Sequence, residues 1–128
     1  MTAGEINLYA GWIGILLGFV AGAVQGLLFH KEDWLGGYVS WQRRMIRLGH
    51  ISFFGIAFVN LTFAFTFFHL KPAESCVLPS RLFIVGAAGM PLVCYLSAFR
   101  KFFRHLFFIP VLSLLAGTGF FIFGVLMK

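Results

Sequence analysis

Charge is what this sequence has least of. Of its 128 residues 11% are charged and only four are acidic, whereas 60% are hydrophobic and 18 are phenylalanine. A water-soluble domain carries roughly a quarter of its residues as charges, so composition excludes that class. The four carboxylates, Glu5, Glu32, Asp33 and Glu74, all fall at the rims of apolar segments or in the connections between them. No acid, base and nucleophile constellation is available inside the apolar segments, and an enzyme is not expected. The membrane carboxylates, broken helices and internal repeats of a secondary transporter are missing too, with Asn60 and Thr62 as the main central polar groups. Cysteine is scarce as well. Cys76 lies in a connection and Cys94 well inside the third apolar segment, so helix rise separates them by roughly 20 Å, beyond the reach of a disulfide.

What is present is long apolar sequence. Four segments, 8–29, 47–69, 81–99 and 106–127, each approach the ~20 residues a helix needs to cross a bilayer core. The expectation is an all-α, integral membrane, antiparallel four-helix bundle forming a single domain over 1–128. The opening M-T-A-G-E lacks the positive region of a cleaved signal peptide, so the first segment is read as a retained span. Seven of the Lys and Arg residues (Lys31, Arg43, Arg44, Arg47, Arg100, Lys101, Arg104) fall in the first and third connections, against Lys71, Arg81 and Lys128 on the other side. The positive-inside rule then puts both termini on the outer side, in what is expected to be a bacterial inner membrane. The net charge of +6 follows from this topology and attracts anionic headgroups. Without a recognition module, nucleic acid is not an expected partner.

Glycines recur at 14, 18, 22 and 26 of the first span, and His30 continues the series. Such a strip admits a close helix neighbour or a flat ligand such as a porphyrin, and Gly22, Gly26 and His30 share a face most closely. The following connection sets Trp34, Tyr38 and Trp41 among charges, which suits the headgroup boundary. Ser40 is a plausible N-cap for a second helix starting near Trp41. Arg43, Arg47 and His50 then lie on one stripe running from headgroups into hydrocarbon. Ser80 is the expected N-cap of the third helix, and Pro91 is expected to kink it.

An ionisable residue inside a membrane segment points to function, and His50 is that residue here. With His30 or His105 as a second axial ligand, Gly22 and Gly26 as the slot, Phe53, Phe54 and Phe108 as packing, and Arg43 with Arg47 meeting the propionates, the chain has the parts of a haem b site. The design is similar in architecture to small four-helix cytochrome b anchors of respiratory complexes, without a shared motif. The expected function is therefore a haem b-binding electron-transfer subunit of a respiratory-type complex, with quinone near His50, Arg47 and Trp41 as an addition. The alternative is an accessory subunit without a cofactor, packing through glycine-faced and Phe-rich surfaces on other subunits or on its own copies. A third reading takes Met90 and Cys94, at i and i+4, as soft ligands for copper(I) with His50 or His105.

Overall fold

The first three helices start where a short polar side chain or a proline makes the start cheap. In the computed structural model, which describes residues 1–72 and 76–127, α1 runs Ala3–Phe29, α2 Trp41–Leu70, α3 Val77–Phe99 and α4 Phe108–Phe121. Thr2 and Glu5 form a reciprocal capping box: the Thr2 hydroxyl accepts from the Glu5 N–H (3.3 Å) and the Glu5 carboxylate from the Thr2 N–H (2.7 Å). This carries α1 back five residues beyond its apolar run. Ser40 caps α2 as expected, its hydroxyl accepting from the Arg43 N–H. Ser80 does not cap α3, which begins a turn earlier with Pro79 in its first turn, where a missing N–H costs nothing. The Ser80 side chain instead reaches into the bundle. Pro91 lies inside α3, which continues as helix on both sides of it. A 3₁₀ segment, Lys101–Phe107, leads into α4, and a π-helical turn, Ile122–Leu126, follows it. Of the charges used to read topology, Lys128 lies outside the described residues, as does Glu74.

All four helical spans are long and apolar enough to cross a membrane, consistent with an integral membrane protein. Their order is up-down-up-down. Going along α1, Gly4 meets Phe67, Gly11 meets Leu61, Gly14 meets Ala57, Gly18 meets Phe54 and Gly22 meets His50, so α2 is traversed backwards. In the same way Gly49 of α2 meets Cys94 and Tyr95 of α3, and Gly86 and Gly117 mark the α3–α4 seam at Leu114 and at Leu82 with Phe83. A β-carbon on Gly11 would lie 2.5 Å from the Leu61 side chain and 3.1 Å from the Ala57 carbonyl oxygen. These glycines are the contact surface itself, because in lipid helices associate by close packing rather than by hiding apolar area.

The bundle is not evenly closed. α4 packs along α3 and reaches α2 chiefly through Phe121 on Phe63, with ring centres 4.9 Å apart. Phe63, Cys76, Phe83 and Phe121 form a buried aromatic cluster, bordered by Ala3 and Val125, which brings the start of α1 and the end of α4 to the same end of the molecule. Cys76 is thus core, 2% exposed, although it falls in the connection between the second and third apolar segments. No disulfide joins it to Cys94.

Two polar layers cross the apolar interior. Near the termini, Asn7 donates to Asn60 Oδ1 (2.7 Å) and accepts from Ser80, while Asn60 donates to the Ile56 carbonyl (2.9 Å), so one amide pair ties α1, α2 and α3 together. Toward the other end Gln25 donates to the Tyr95 hydroxyl (2.6 Å). Both layers follow from the rule that a polar group kept from water must find a protein partner.

Candidate functional site

The loop end of the bundle holds most of the residues singled out above. His50 is half-buried on α2, and its ring fills the notch that Gly22 leaves: a β-carbon at Gly22 would be 2.6 Å from His50 Nε2. The ring meets Phe54 edge-on at 5.5 Å. Neither imidazole nitrogen has a hydrogen-bond partner among the described residues. Gly22 is therefore a seat for His50, and Gly26, exposed with nothing near it, belongs to the outer surface.

The arginines are organised by the loop between α1 and α2. That loop turns through a 3₁₀ segment, Trp34–Gly36, with Leu35, Gly36 and Gly37 at positive φ, a sequence of turns that the two glycines allow at little cost. It folds back so that Arg43, only 3% exposed, donates from Nε to the Trp34 carbonyl (2.6 Å) and from Nη2 to the Lys31 carbonyl. The guanidinium also lies over the Phe29 and Trp34 rings, at 5.6 and 5.5 Å. One turn on, Arg47 covers the Tyr38 ring at 4.2 Å and donates to the Tyr38 carbonyl (3.1 Å). Trp41 anchors the same end by donating its indole N–H to the Ser97 carbonyl (2.7 Å), with Lys101 over its ring.

As packed, the residues expected to make a haem site are not gathered around one slot. The strip expected to receive a porphyrin face is occupied by the imidazole expected to ligate its iron. His30 caps α1 and is exposed, and eight residues beyond Gly22 it lies about 12 Å farther along the axis, whereas two axial imidazoles must face each other at one height. His105 is exposed on the 3₁₀ segment, edge-on to Phe102. Phe53 and Phe54 line the seams with Tyr95 and Phe19, and Phe108 is exposed. For copper, Cys94 is fully buried against Gly49, Met90 is half-buried, and no group of three His, Cys, Asp or Glu side chains able to hold a metal occurs among the described residues.

A second feature has no counterpart in the sequence reading. Because α4 leans on α3, an apolar cleft of about 410 Å³ opens between α2 and α4, floored by Phe63, Phe83 and Phe121 and walled by Phe58, Thr62 and Ile122. Gly55 lies on its α2 wall and, unlike Gly49 earlier in the same helix, has no neighbour within 4 Å of a β-carbon among the described residues. The interior polar residues Asn7, Gln25, Tyr95 and Ser97 were also missed. Their signal in the sequence was an amide or hydroxyl inside or at the edge of an apolar segment, where a polar group needs a partner. Gln25 Oε1 and Ser97 Oγ are buried without one among the described residues.

No family model, curated protein sequence or solved structure matches this chain.

Proposed function

We propose that this chain is a small, non-enzymatic accessory subunit that inserts in a bacterial inner membrane with both termini outside and docks a transmembrane helix of a larger complex in its α2–α4 cleft. The observation that carries this reading is Gly55. A glycine inside a helix costs roughly 1 kcal/mol relative to alanine, and the glycines of the α1–α2, α2–α3 and α3–α4 seams offset that cost by receiving a neighbour within the chain. Among the described residues Gly26, Gly55, Gly119 and Gly124 receive none, and of these it is Gly55 that lies in the aromatic-floored cleft, whose α2 wall, from Gly55 to Thr66, is about 16 Å long. Close approach by a helix from another subunit accounts for both the missing side chain and the sparse contact of α4 with α2.

Blue-native electrophoresis of membranes solubilised in a mild detergent tests this. The wild-type chain should migrate with a complex larger than itself. Gly55→Leu should release it to its own size without loss of fold, since a side chain there meets nothing inside the chain. Ala23→Leu, on the exposed side of α1, should leave the complex intact. A wild type that runs alone, or a Gly55→Leu protein that stays in the complex, contradicts the reading.

Haem b binding in a respiratory-type complex is the second reading, favoured by the unpartnered imidazole of His50 inside the apolar zone. It requires the His50 ring to leave Gly22 and the arginines to exchange carbonyl partners for propionates. A reduced-minus-oxidised spectrum of the purified protein, with a haem band lost in His50→Ala, would establish it.

A further inference from the structure

Arg43 poses a charge problem that the bundle does not solve. The guanidinium is nearly sealed from solvent, yet its partners are two neutral carbonyls and two aromatic rings. Neither Arg43 nor Arg47 makes an ion pair among the described residues. Glu32 and Asp33, close by in sequence, are exposed. A guanidinium has five N–H donors, so with Nε–H and one Nη2–H used, three remain on Arg43. Arg47, with one bond to Tyr38, has four. Burying a cation without an anion is costly, and such charges are found paired.

The space for an anion is there. Arg43, Arg47, Phe29 and Tyr38 line a cavity of about 180 Å³ at the loop end. It lies beside the first turn of α2, where Ser40 is the N-cap, and a helix N-terminus adds partial positive charge. Two guanidinium forks, one turn apart, match the oxygens of a phosphate better than a single carboxylate, and bidentate Arg–phosphate bonds are the strong ones. Trp34, Tyr38 and Trp41 surround this end of the molecule, the side-chain set of the membrane interface, where lipid phosphates are concentrated.

We infer that the Arg43–Arg47 cavity binds a phosphate oxyanion, supplied by the headgroup of an anionic phospholipid. The inference rests on the membrane-spanning reading but not on cleft docking, and its test is made on the isolated chain, so the two can fail separately. The full chain is purified in a maltoside detergent, which carries no phosphate, and titrated with phosphatidylglycerol, with lipid retention read by native mass spectrometry. One lipid per chain should be retained. Arg47→Gln should weaken retention about tenfold or more, the effect of losing a charged hydrogen bond. Arg44→Gln removes the same charge from an exposed position outside the cavity and should retain lipid as the wild type does. Arg47 carries the test because Arg43 also holds the loop. A separate arm adds inorganic phosphate and reads displacement of the lipid. Displacement only at concentrations far above that of the lipid supports a headgroup site; equal competition identifies free phosphate as the occupant and overturns the lipid assignment. Equal lipid retention by the wild type, Arg47→Gln and Arg44→Gln overturns the site itself.

Discussion

Replacing Asn60 with alanine should cost more than any other single truncation of a polar side chain in the interior. The side chain is fully buried, and so is that of Asn7, which donates to it across α1 and α2 at 2.7 Å. Interhelical hydrogen bonds in membranes contribute about 0.6 kcal/mol on average and up to about 1.7, so the bond alone predicts a modest effect. Two further terms enlarge it. The Asn7 amide keeps Ser80 on its oxygen but loses the acceptor of its N–H, and a buried donor left unpaired costs about 1–3 kcal/mol. The truncated side chain also leaves a void among helices already in contact, and a void adds to the cost of any buried truncation. The unpaired-donor and bond terms overlap, so the expected total is about 2–4 kcal/mol. Reversible unfolding in mixed micelles, followed by tryptophan fluorescence, gives the value directly. Asn7→Ala and the double mutant complete a cycle whose coupling should be about 0.6–1.7 kcal/mol. An Asn60→Ala protein within 0.5 kcal/mol of wild type, or a coupling near zero, would refute the idea that this layer holds three helices together.

The glycines should divide by whether a neighbour fills their notch. Gly11→Ala, pressed against Leu61 and the Ala57 carbonyl, should lose about 1–3 kcal/mol through overpacking, while Gly26→Ala, with nothing near it, should gain up to about 1 kcal/mol from helix propensity, both by the same unfolding assay. Gly22→Ala should be destabilising in the wild type and nearly neutral in a His50→Ala background, because the imidazole is what occupies that notch; equal costs in the two backgrounds would remove His50 from its seat. Cys76, 2% exposed, should resist thiol reagents from either side of the membrane until the protein is denatured, and rapid labelling of the native chain would contradict its place in the aromatic cluster. Orientation is better tested at Lys71→Cys, an exposed position that should react with an impermeant reagent added outside intact cells.

The helices were legible because their signal is composition over twenty residues, and tertiary context does not override it. Ser40 was legible as a cap for the same kind of reason: a hydroxyl preceding an apolar run has one local use. Ser80 shows where that logic stops. It too precedes an apolar run, but Pro79 lets the helix start earlier, and the hydroxyl is claimed by Asn7 from α1, a contact 73 residues away in sequence. The glycine strip is a contact surface at Gly14, Gly18 and Gly22 but not at Gly26, and its spacing left open what it contacts, since spacing gives a face and not its occupant. His50 and Gly22 appeared separately in the sequence as a ligand and a slot; folding puts one inside the other. The α2–α4 cleft had no sequence signature, because it arises from how far α4 leans toward α3 and not from any periodicity.

A photo-crosslinking amino acid at Thr62, on the α2 wall of the cleft, puts the docking reading to its most direct test. Irradiated in native membranes, it should give one discrete adduct with another membrane polypeptide, and the same group at Ala23, on the exposed side of α1, should give none. Adducts with lipid alone at Thr62, or the same protein adducts from both positions, would contradict a partner helix seated between α2 and α4.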